Sequence, residues 1–190
     1  MAVLILIGIA AVELLGARMA SGLLYEARQI LHGNFDDRFG SSRIFIWKRA
    51  INLIMAKPAF GYGPDSFFQA FAPYQREAFE VADVYFDKAH NEYLQILICT
   101  GIAGLTSYMT LLAGAMARGF TKLKKEYSAT PAQNNSAPLN QNYKILPYLA
   151  AVAAYLLQAF FNISVPITAP LLWVLLGVLA GARRRTDRDS

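Results

Sequence analysis

The stretch YLQILICTGIAGLTSYMTLLAGAMA, residues 93–117, decides the fold, because it runs for 25 residues without a charge. A helix needs about 20 residues to cross the hydrocarbon core of a membrane. The composition agrees, since 55% of the chain is hydrophobic and only 16% is charged, against roughly 25% charged residues in ordinary soluble domains. The stretch therefore predicts a transmembrane span.

Three further apolar runs predict more spans. Residues 145–163 and 166–182 carry no charge, and Pro166 is expected to break the helix between them, which predicts a hairpin. Residues 2–25 begin with an apolar run that Glu13 interrupts, and such a carboxylate is costly in lipid unless it faces protein or water. A signal peptide is the alternative for this run, although it lacks a basic leading segment. We predict an all-α fold, a polytopic transmembrane helix bundle.

The distribution of Lys and Arg predicts the orientation. The connection 118–144 holds five basic residues against one acidic residue, and the tail 183–190 holds four against two. Both are expected on the cytoplasmic side by the positive-inside rule. Residues 26–92 would then form an extracytoplasmic loop, which carries eight basic and nine acidic residues. The net charge of +5 therefore reflects membrane topology, and we expect no nucleic-acid partner.

The long loop is expected to contain amphipathic helices. SSRIFIWKRAINLIMAKP, residues 41–58, predicts one that ends before Pro58 and lies at the membrane interface, with Trp47 at the headgroup level. GYGPD, residues 61–65, predicts a turn, because glycines permit unusual backbone angles and proline fixes one. The following SFFQAF, residues 66–71, predicts a short helix.

His90 stands at the mouth of the 93–117 span. At about 100° per residue, positions spaced by three and four fall below it in one stripe: Leu94, Leu97, Gly101, Gly104 and Tyr108. Two glycines in such a stripe let another span approach closely, so Gly101 and Gly104 are predicted helix-packing positions. His90 would then project into the bundle interior. The alternative is a histidine that only anchors the helix end or satisfies a backbone carbonyl.

Metal and redox chemistry find little support in the sequence. No carboxylate cluster and no His/Cys set shows metal-ligand spacing. The single cysteine, Cys99, excludes an internal disulfide and lies inside the apolar run. We interpret it as a small buried hydrophobic residue.

Two blocks of residues resemble a known family. His90 and Asn91 are followed by nine residues, Gly101, two residues and Gly104. Upstream, Arg43 is followed after three residues by Trp47, and then by a Pro-x-x-Gly-x-Gly block at residues 58–63. Both blocks, in this order, resemble the signature of the O-antigen ligase and polymerase superfamily.

The resemblance implies a glycosyltransferase of the bacterial cytoplasmic membrane that works in cell-surface polysaccharide assembly. It also implies a reaction that needs neither a metal nor another cofactor. The implied donor is a polyprenyl-diphosphate-linked glycan, and the implied acceptor is a hydroxyl of lipid A core, another glycan or a protein. The family's arginine falls on Arg43 and its histidine on His90. Arginine suits a diphosphate because its planar fork pairs with phosphate oxygens, and histidine suits a base near neutral pH. Asn91 is a candidate to bind and orient either group.

Members of this superfamily have more transmembrane spans than we predict for this chain. The resemblance covers only their C-terminal portion. In the family, the N-terminal spans that this chain lacks complete the cavity. An inactive fragment is therefore one interpretation of the chain by itself. Three alternatives to the ligase therefore stay open. One is a polymerase of the same superfamily, another is a module that binds lipid-linked glycan without chemistry, and the last is a transport segment.

Overall fold

The computed structural model of the chain describes residues 2–129, 144–163 and 167–181. Every regular element in these ranges is helical, which confirms the all-α prediction. The predicted tail 183–190, Pro166 and residues 130–143 of the predicted linker lie outside the described residues. The helices are α1 (Ala2–Gly16), α2 (Leu23–Leu31), α3 (Arg43–Ala56), α4 (Phe67–Ala70), a 3-10 turn (Ala72–Tyr74), α5 (Gln75–Ala82), α6 (Glu92–Ala129), α7 (Leu146–Phe161) and α8 (Ala169–Gly181).

The chain divides into two compact units. The first contains residues 1–56 and 65–89, and therefore holds α1 to α5. The second contains Lys57–Pro64 and all residues from His90 onward, and therefore holds α6 to α8. The segment Lys57–Pro64 thus belongs to the second unit, although the residues on both sides of it in the sequence belong to the first.

Residues 2–25 do not form one continuous helix, and their crossing of a membrane stays a prediction. The apolar helix α1 ends at Gly16, and α2 starts at Leu23 and packs back against α1. The two helices approach so closely that a Cβ on Gly16 would lie 2.6 Å from the carbonyl oxygen of Leu24. A glycine at this position permits the hairpin.

Glu13 has partners on α2 and beside it. The Nε of Arg28 donates to a carboxylate oxygen of Glu13 at 3.1 Å, and the Nδ1 of His32 lies 3.5 Å from the other oxygen. A carboxylate in an apolar helix is tolerated when a cation and hydrogen bonds accompany it. Glu13 therefore faces protein groups, as the sequence required of it.

The core of the first unit is aromatic. The prediction of a helix before Pro58 is confirmed by α3, whose Phe45 is fully buried and lies edge-on to Phe71 at a centroid distance of 6.2 Å. Phe71 in turn stacks on Phe67 at 5.1 Å, and both are fully buried. Burying each such ring contributes about 1.5–3 kcal/mol. Trp47 donates its indole N–H to the carbonyl of Ala89 at 3.0 Å.

A cluster of charges fixes the loop before α3 to the rest of the first unit. Arg49 donates to Asp37 at 2.7 Å and also pairs with Glu77 on α5, while Lys48 donates to Asp37 at 2.6 Å. Burial alone would raise the pKa of the Asp37 carboxyl, but the hydrogen bonds from Lys48 and Arg49 hold that pKa below its ordinary value.

The second unit is a bundle of α6, α7 and α8. Its core is aliphatic and consists of Leu112, Ala115, Ile145, Leu149, Val152, Leu172, Leu176 and Leu179. Among the described helices, only the segment Glu92–Ser128 of α6 is long and apolar enough to cross a membrane. With 16 and 13 residues, α7 and α8 are shorter than the about 20 that a span requires. The polytopic topology therefore stays a prediction.

Candidate functional site

The helix α6 is broken at Gly101, whose φ of 67° and ψ of −169° are not helical. Such a break leaves carbonyl oxygens before it and amide groups after it without their helical partners. The amide of Tyr62 donates to the carbonyl oxygen of Ile98 at 2.9 Å, and the amide of Gly63 donates to that of Cys99 at 2.8 Å. The segment Lys57–Pro64 therefore satisfies the carbonyl side of the break.

The same segment also satisfies the amide side. Ile102 donates its N–H to the carbonyl oxygen of Pro58 at 2.8 Å, and Ala103 donates to that of Ala59 at 3.3 Å. Four backbone hydrogen bonds thus join the Pro-x-x-Gly-x-Gly block to the two halves of α6. We call Lys57–Pro64 together with residues 98–103 the break junction.

Two glycines make this contact possible. A Cβ on Gly61 would overlap the carbonyl oxygen of Ile98, and a Cβ on Gly101 would overlap the backbone of Ala59. Both glycines have positive φ, 68° and 67°, which residues with a side chain rarely adopt. The break junction therefore requires glycine at one position in each of the two blocks that resemble the superfamily.

The predicted stripe below His90 is wrong. It assumed one straight helix, but the helical path is interrupted at Gly101, so the spacing of about 100° per residue cannot be counted across that position. Gly101 does permit a close approach, although the neighbour is the backbone of Ala59 rather than another span. At Gly104 the atoms nearest to an added Cβ belong to the side chain of Thr100 on the same helix.

His90 lies in the turn that leads into α6. Its φ is 50°, in the left-handed region, and α6 begins two residues later, at Glu92. Asn91 is 3% exposed and accepts a hydrogen bond from the amide of Leu94 at 3.0 Å through its Oδ1 atom. Asn91 therefore has the contact of a helix N-cap. Substrate binding by Asn91 stays a prediction.

Arg43 is the first residue of α3, in the first unit. Three successive residues before it, Gly40, Ser41 and Ser42, have φ of 63°, 57° and 63°. The guanidinium donates from Nη1 to the carbonyl oxygen of Gly40 at 2.8 Å. Its Nε is buried, and within the described residues it has no hydrogen-bond partner.

Arg43 and His90 belong to different units, so their predicted meeting in one pocket stays a prediction. Arg43 directly follows two serines with left-handed backbone, and His90 itself has left-handed backbone. Non-glycine residues adopt this conformation at a cost of about 1–3 kcal/mol each. Strain of this kind is concentrated at functional sites. Ser41, Ser42 and His90 have such backbone, but so do Asp65 and Asp83, and the functional roles of Arg43 and His90 stay predictions.

Sequence reasoning missed Glu92. This carboxylate is 7% exposed, and its two oxygens accept hydrogen bonds from the hydroxyl groups of Tyr108 at 2.7 Å and Tyr155 at 2.9 Å. The available signal was an acidic residue at the entrance of an apolar run, with tyrosines inside two predicted spans.

Within the described ranges, no three His, Cys, Asp or Glu side chains lie close enough together to hold a metal ion.

A family model described as O-Antigen ligase matches residues 1–109, which is more than half of the 190-residue chain. The chain belongs to the O-antigen ligase family. The matched part of this O-antigen ligase family member includes Arg43, His90 and both sides of the break junction. The family is a class of membrane proteins, which agrees with the apolar α6. No curated protein and no solved structure matches the chain.

Proposed function

We propose that the chain carries the reaction site of an O-antigen ligase that transfers a glycan from a polyprenyl-diphosphate carrier to an acceptor hydroxyl outside the cytoplasmic membrane. The observation that supports it most is the buried Nε of Arg43, which has no acceptor within the described residues. A buried donor without a partner costs about 1–3 kcal/mol. A phosphate oxygen at this position would remove that cost and would form a charge-assisted hydrogen bond.

The proposed reaction needs a cation and a base. The acceptor oxygen attacks the anomeric carbon of the donor sugar, and its proton passes to the imidazole of His90. The bond from that carbon to the diphosphate oxygen breaks, and the diphosphate leaves with the electron pair. Arg43 stabilises the charge on the departing diphosphate, since a guanidinium presents two parallel N–H groups to phosphate oxygens.

The test is glycan transfer in membranes of cells that make a polyprenyl-linked glycan. We expect His90→Ala to abolish transfer, whereas the matched control His32→Ala should retain it, because His32 contacts Glu13 and the carbonyl of Arg28 in the α1–α2 hairpin. General acid–base catalysis by one side chain contributes typically 100- to 10,000-fold, and His90→Ala should lose a comparable factor. Transfer by His90→Ala at the wild-type rate would contradict the base assignment.

The arginine assignment is tested by a change that keeps the charge. Arg43→Lys should lower transfer by at least about tenfold, because an ammonium group is a point charge without the planar fork. Arg76→Lys is the matched control, since the Arg76 side chain is exposed on α5 and pairs only at the surface with Glu80. Equal activity of the two lysine variants would contradict a diphosphate site at Arg43.

A further inference from the structure

The start of α6 contains a buried carboxylate that the proposed reaction does not use. The carboxylate of Glu92 accepts hydrogen bonds from Tyr108, which lies beyond the break in α6, and from Tyr155 on α7. Glu92 itself lies before the break. One side chain therefore joins three helical segments, and we call Glu92, Tyr108 and Tyr155 the carboxylate clamp.

The geometry points to Glu92 as a positioning residue for His90, an inference that rests on the proposed function. The carboxylate clamp fixes the first turn of α6. His90 lies two residues before this turn, so the position of the turn determines the position of the His90 backbone. A loosened clamp would leave the fold in place and misplace the imidazole.

The break at Gly101 is the reason why the first turn needs such a device. The half of α6 before the break spans only residues 92–100. A helix of this length is marginal by itself, and the break means that continuous helix geometry does not fix its direction. The strained φ of 50° at His90 also persists only where surrounding contacts hold it. Asn91 caps the turn, and Glu92 anchors it to two other segments.

A carboxylate is a poor choice for stability alone. Burying a charged group costs free energy that apolar side chains of similar volume avoid, and replacing buried ionic groups by apolar ones is often neutral or stabilising. Hydrogen bonds to a carboxylate are, however, short, directional and roughly twice as strong as neutral ones. The carboxylate clamp therefore contributes position more than stability.

Glu92 is badly placed to act as the base itself. Both of its oxygens accept tyrosine hydroxyl groups, and only 7% of the residue is exposed. An acceptor hydroxyl would have to displace one of these hydrogen bonds before it could deliver a proton. The role that remains is to hold the neighbouring turn.

The test compares two tyrosines that link the same pair of helices. Tyr155→Phe removes one hydrogen bond of the carboxylate clamp. Tyr93→Phe is the matched control, because the Tyr93 hydroxyl also joins α6 to α7 but donates to the carbonyl of Leu156, at 2.9 Å, instead of to Glu92. We expect Tyr155→Phe to lower kcat about tenfold with KM for the lipid-linked donor within about twofold, since small misplacements of catalytic groups have effects of this size or larger. Tyr93→Phe should change neither value.

A second pair of variants removes the carboxylate. Glu92→Leu leaves the hydroxyls of Tyr108 and Tyr155 without their acceptor, so it should lower the thermal unfolding midpoint by several degrees and lose at least about tenfold in kcat. Glu92→Gln keeps one acceptor oxygen and should recover part of kcat. Equal kcat for Tyr155→Phe and Tyr93→Phe in a chain that transfers glycan would overturn the inference.

A readout without activity separates this inference from the proposed function. In a His32→Asn background His90 is the remaining histidine, and its rate of modification by diethyl pyrocarbonate reports how firmly the imidazole is held. We expect faster modification in Tyr155→Phe than in Tyr93→Phe. If the chain does not transfer glycan, or if His90→Ala transfers normally, the proposed function fails. In that case, equal modification rates would overturn the positioning role separately.

Discussion

The amide of Tyr62 donates a hydrogen bond to the carbonyl oxygen of Ile98, 2.9 Å away, at the point where α6 breaks. Inside a membrane a backbone group without a partner costs several kcal/mol, and irregular backbone is tolerated only where protein or water satisfies it. The segment Lys57–Pro64 supplies those partners on both sides of Gly101. The two blocks that resemble the superfamily are therefore joined physically, in addition to being neighbours in the family pattern.

We predict that Gly101→Ala destabilises the protein by about 2 kcal/mol or more. Alanine would have to adopt a positive φ, at a cost of about 1–2 kcal/mol, and its Cβ would overlap the backbone of Ala59. The measurement is the thermal unfolding midpoint of the detergent-solubilised protein.

The control for this substitution lies on the same helix. A Cβ on Gly114 would meet nothing within 4 Å, and Gly114 is not among the glycines with positive φ. Gly114→Ala should leave stability unchanged or raise it by about 0.5–1 kcal/mol, the usual gain from removing a glycine inside a helix. Equal midpoints for the two alanine variants would show that the break junction does not require glycine at 101.

The sequence predicted α3 and the apolar part of α6 well, because helical periodicity, the proline after α3 and a long uncharged run are local signals. It failed at Gly101, since a glycine inside an apolar run is compatible with a straight helix. What breaks the helix there is a set of hydrogen bonds to Pro58, Ala59, Tyr62 and Gly63, and these partners are distant in sequence. A periodicity argument contains no information about them.

The same difference between local and distant signals explains which residues of the candidate site the sequence predicted and which it missed. Arg43 and His90 were found from spacing that resembles a family, whereas the carboxylate of Glu92 gains its meaning from Tyr108 and Tyr155, 16 and 63 residues further along the chain. The α1–α2 hairpin was missed because the apolar run was extended across Gly16 and Gly22, which are ordinary turn residues.

Asp83 offers a stabilising substitution. It ends α5 in a left-handed conformation, with φ of 57° and ψ of 29°, and it is exposed. Glycine adopts this conformation at a helix C-terminus without the Cβ penalty. Asp83→Gly should therefore raise the free energy of unfolding by about 0.5–1 kcal/mol, a gain that denaturant titration can resolve.

The opposite change at Asp83 checks the reason. Asp83→Val should lower the free energy of unfolding by about 1 kcal/mol or more, because a β-branched side chain is a marked outlier at positive φ. If glycine and valine give equal stability, α5 does not end in a left-handed residue.

Stability should depend on pH through Asp37. Its folded-state pKa lies below the ordinary value of about 3.9, because the hydrogen bonds from Lys48 and Arg49 outweigh the opposing effect of burial. A lowered folded-state pKa contributes stability above the unfolded pKa, and this contribution is lost as the pH falls through the folded value. Unfolding midpoints of the wild type and Asp37→Asn should differ most at about pH 5–7, and the difference should shrink as the pH falls below about 4 and through the lower folded-state pKa. A difference that stays constant across this range would contradict the ion-pair role of Asp37.

Asn91 can be separated into a capping role and a substrate role. Its Oδ1 accepts the amide of Leu94 at 3.0 Å, so Asn91→Ala should lower stability by about 1 kcal/mol, the typical cost of losing an N-cap. Asn91→Asp keeps the capping oxygen and should keep the unfolding midpoint.

If the amide group of Asn91 also donates to the diphosphate or the acceptor, as the sequence predicts, Asn91→Asp should lose glycan transfer, because a carboxylate offers no donor and repels phosphate. Parallel measurements of the midpoint and of transfer decide between the roles: normal transfer by Asn91→Asp would restrict Asn91 to capping, and an unchanged midpoint in Asn91→Ala would refute the cap.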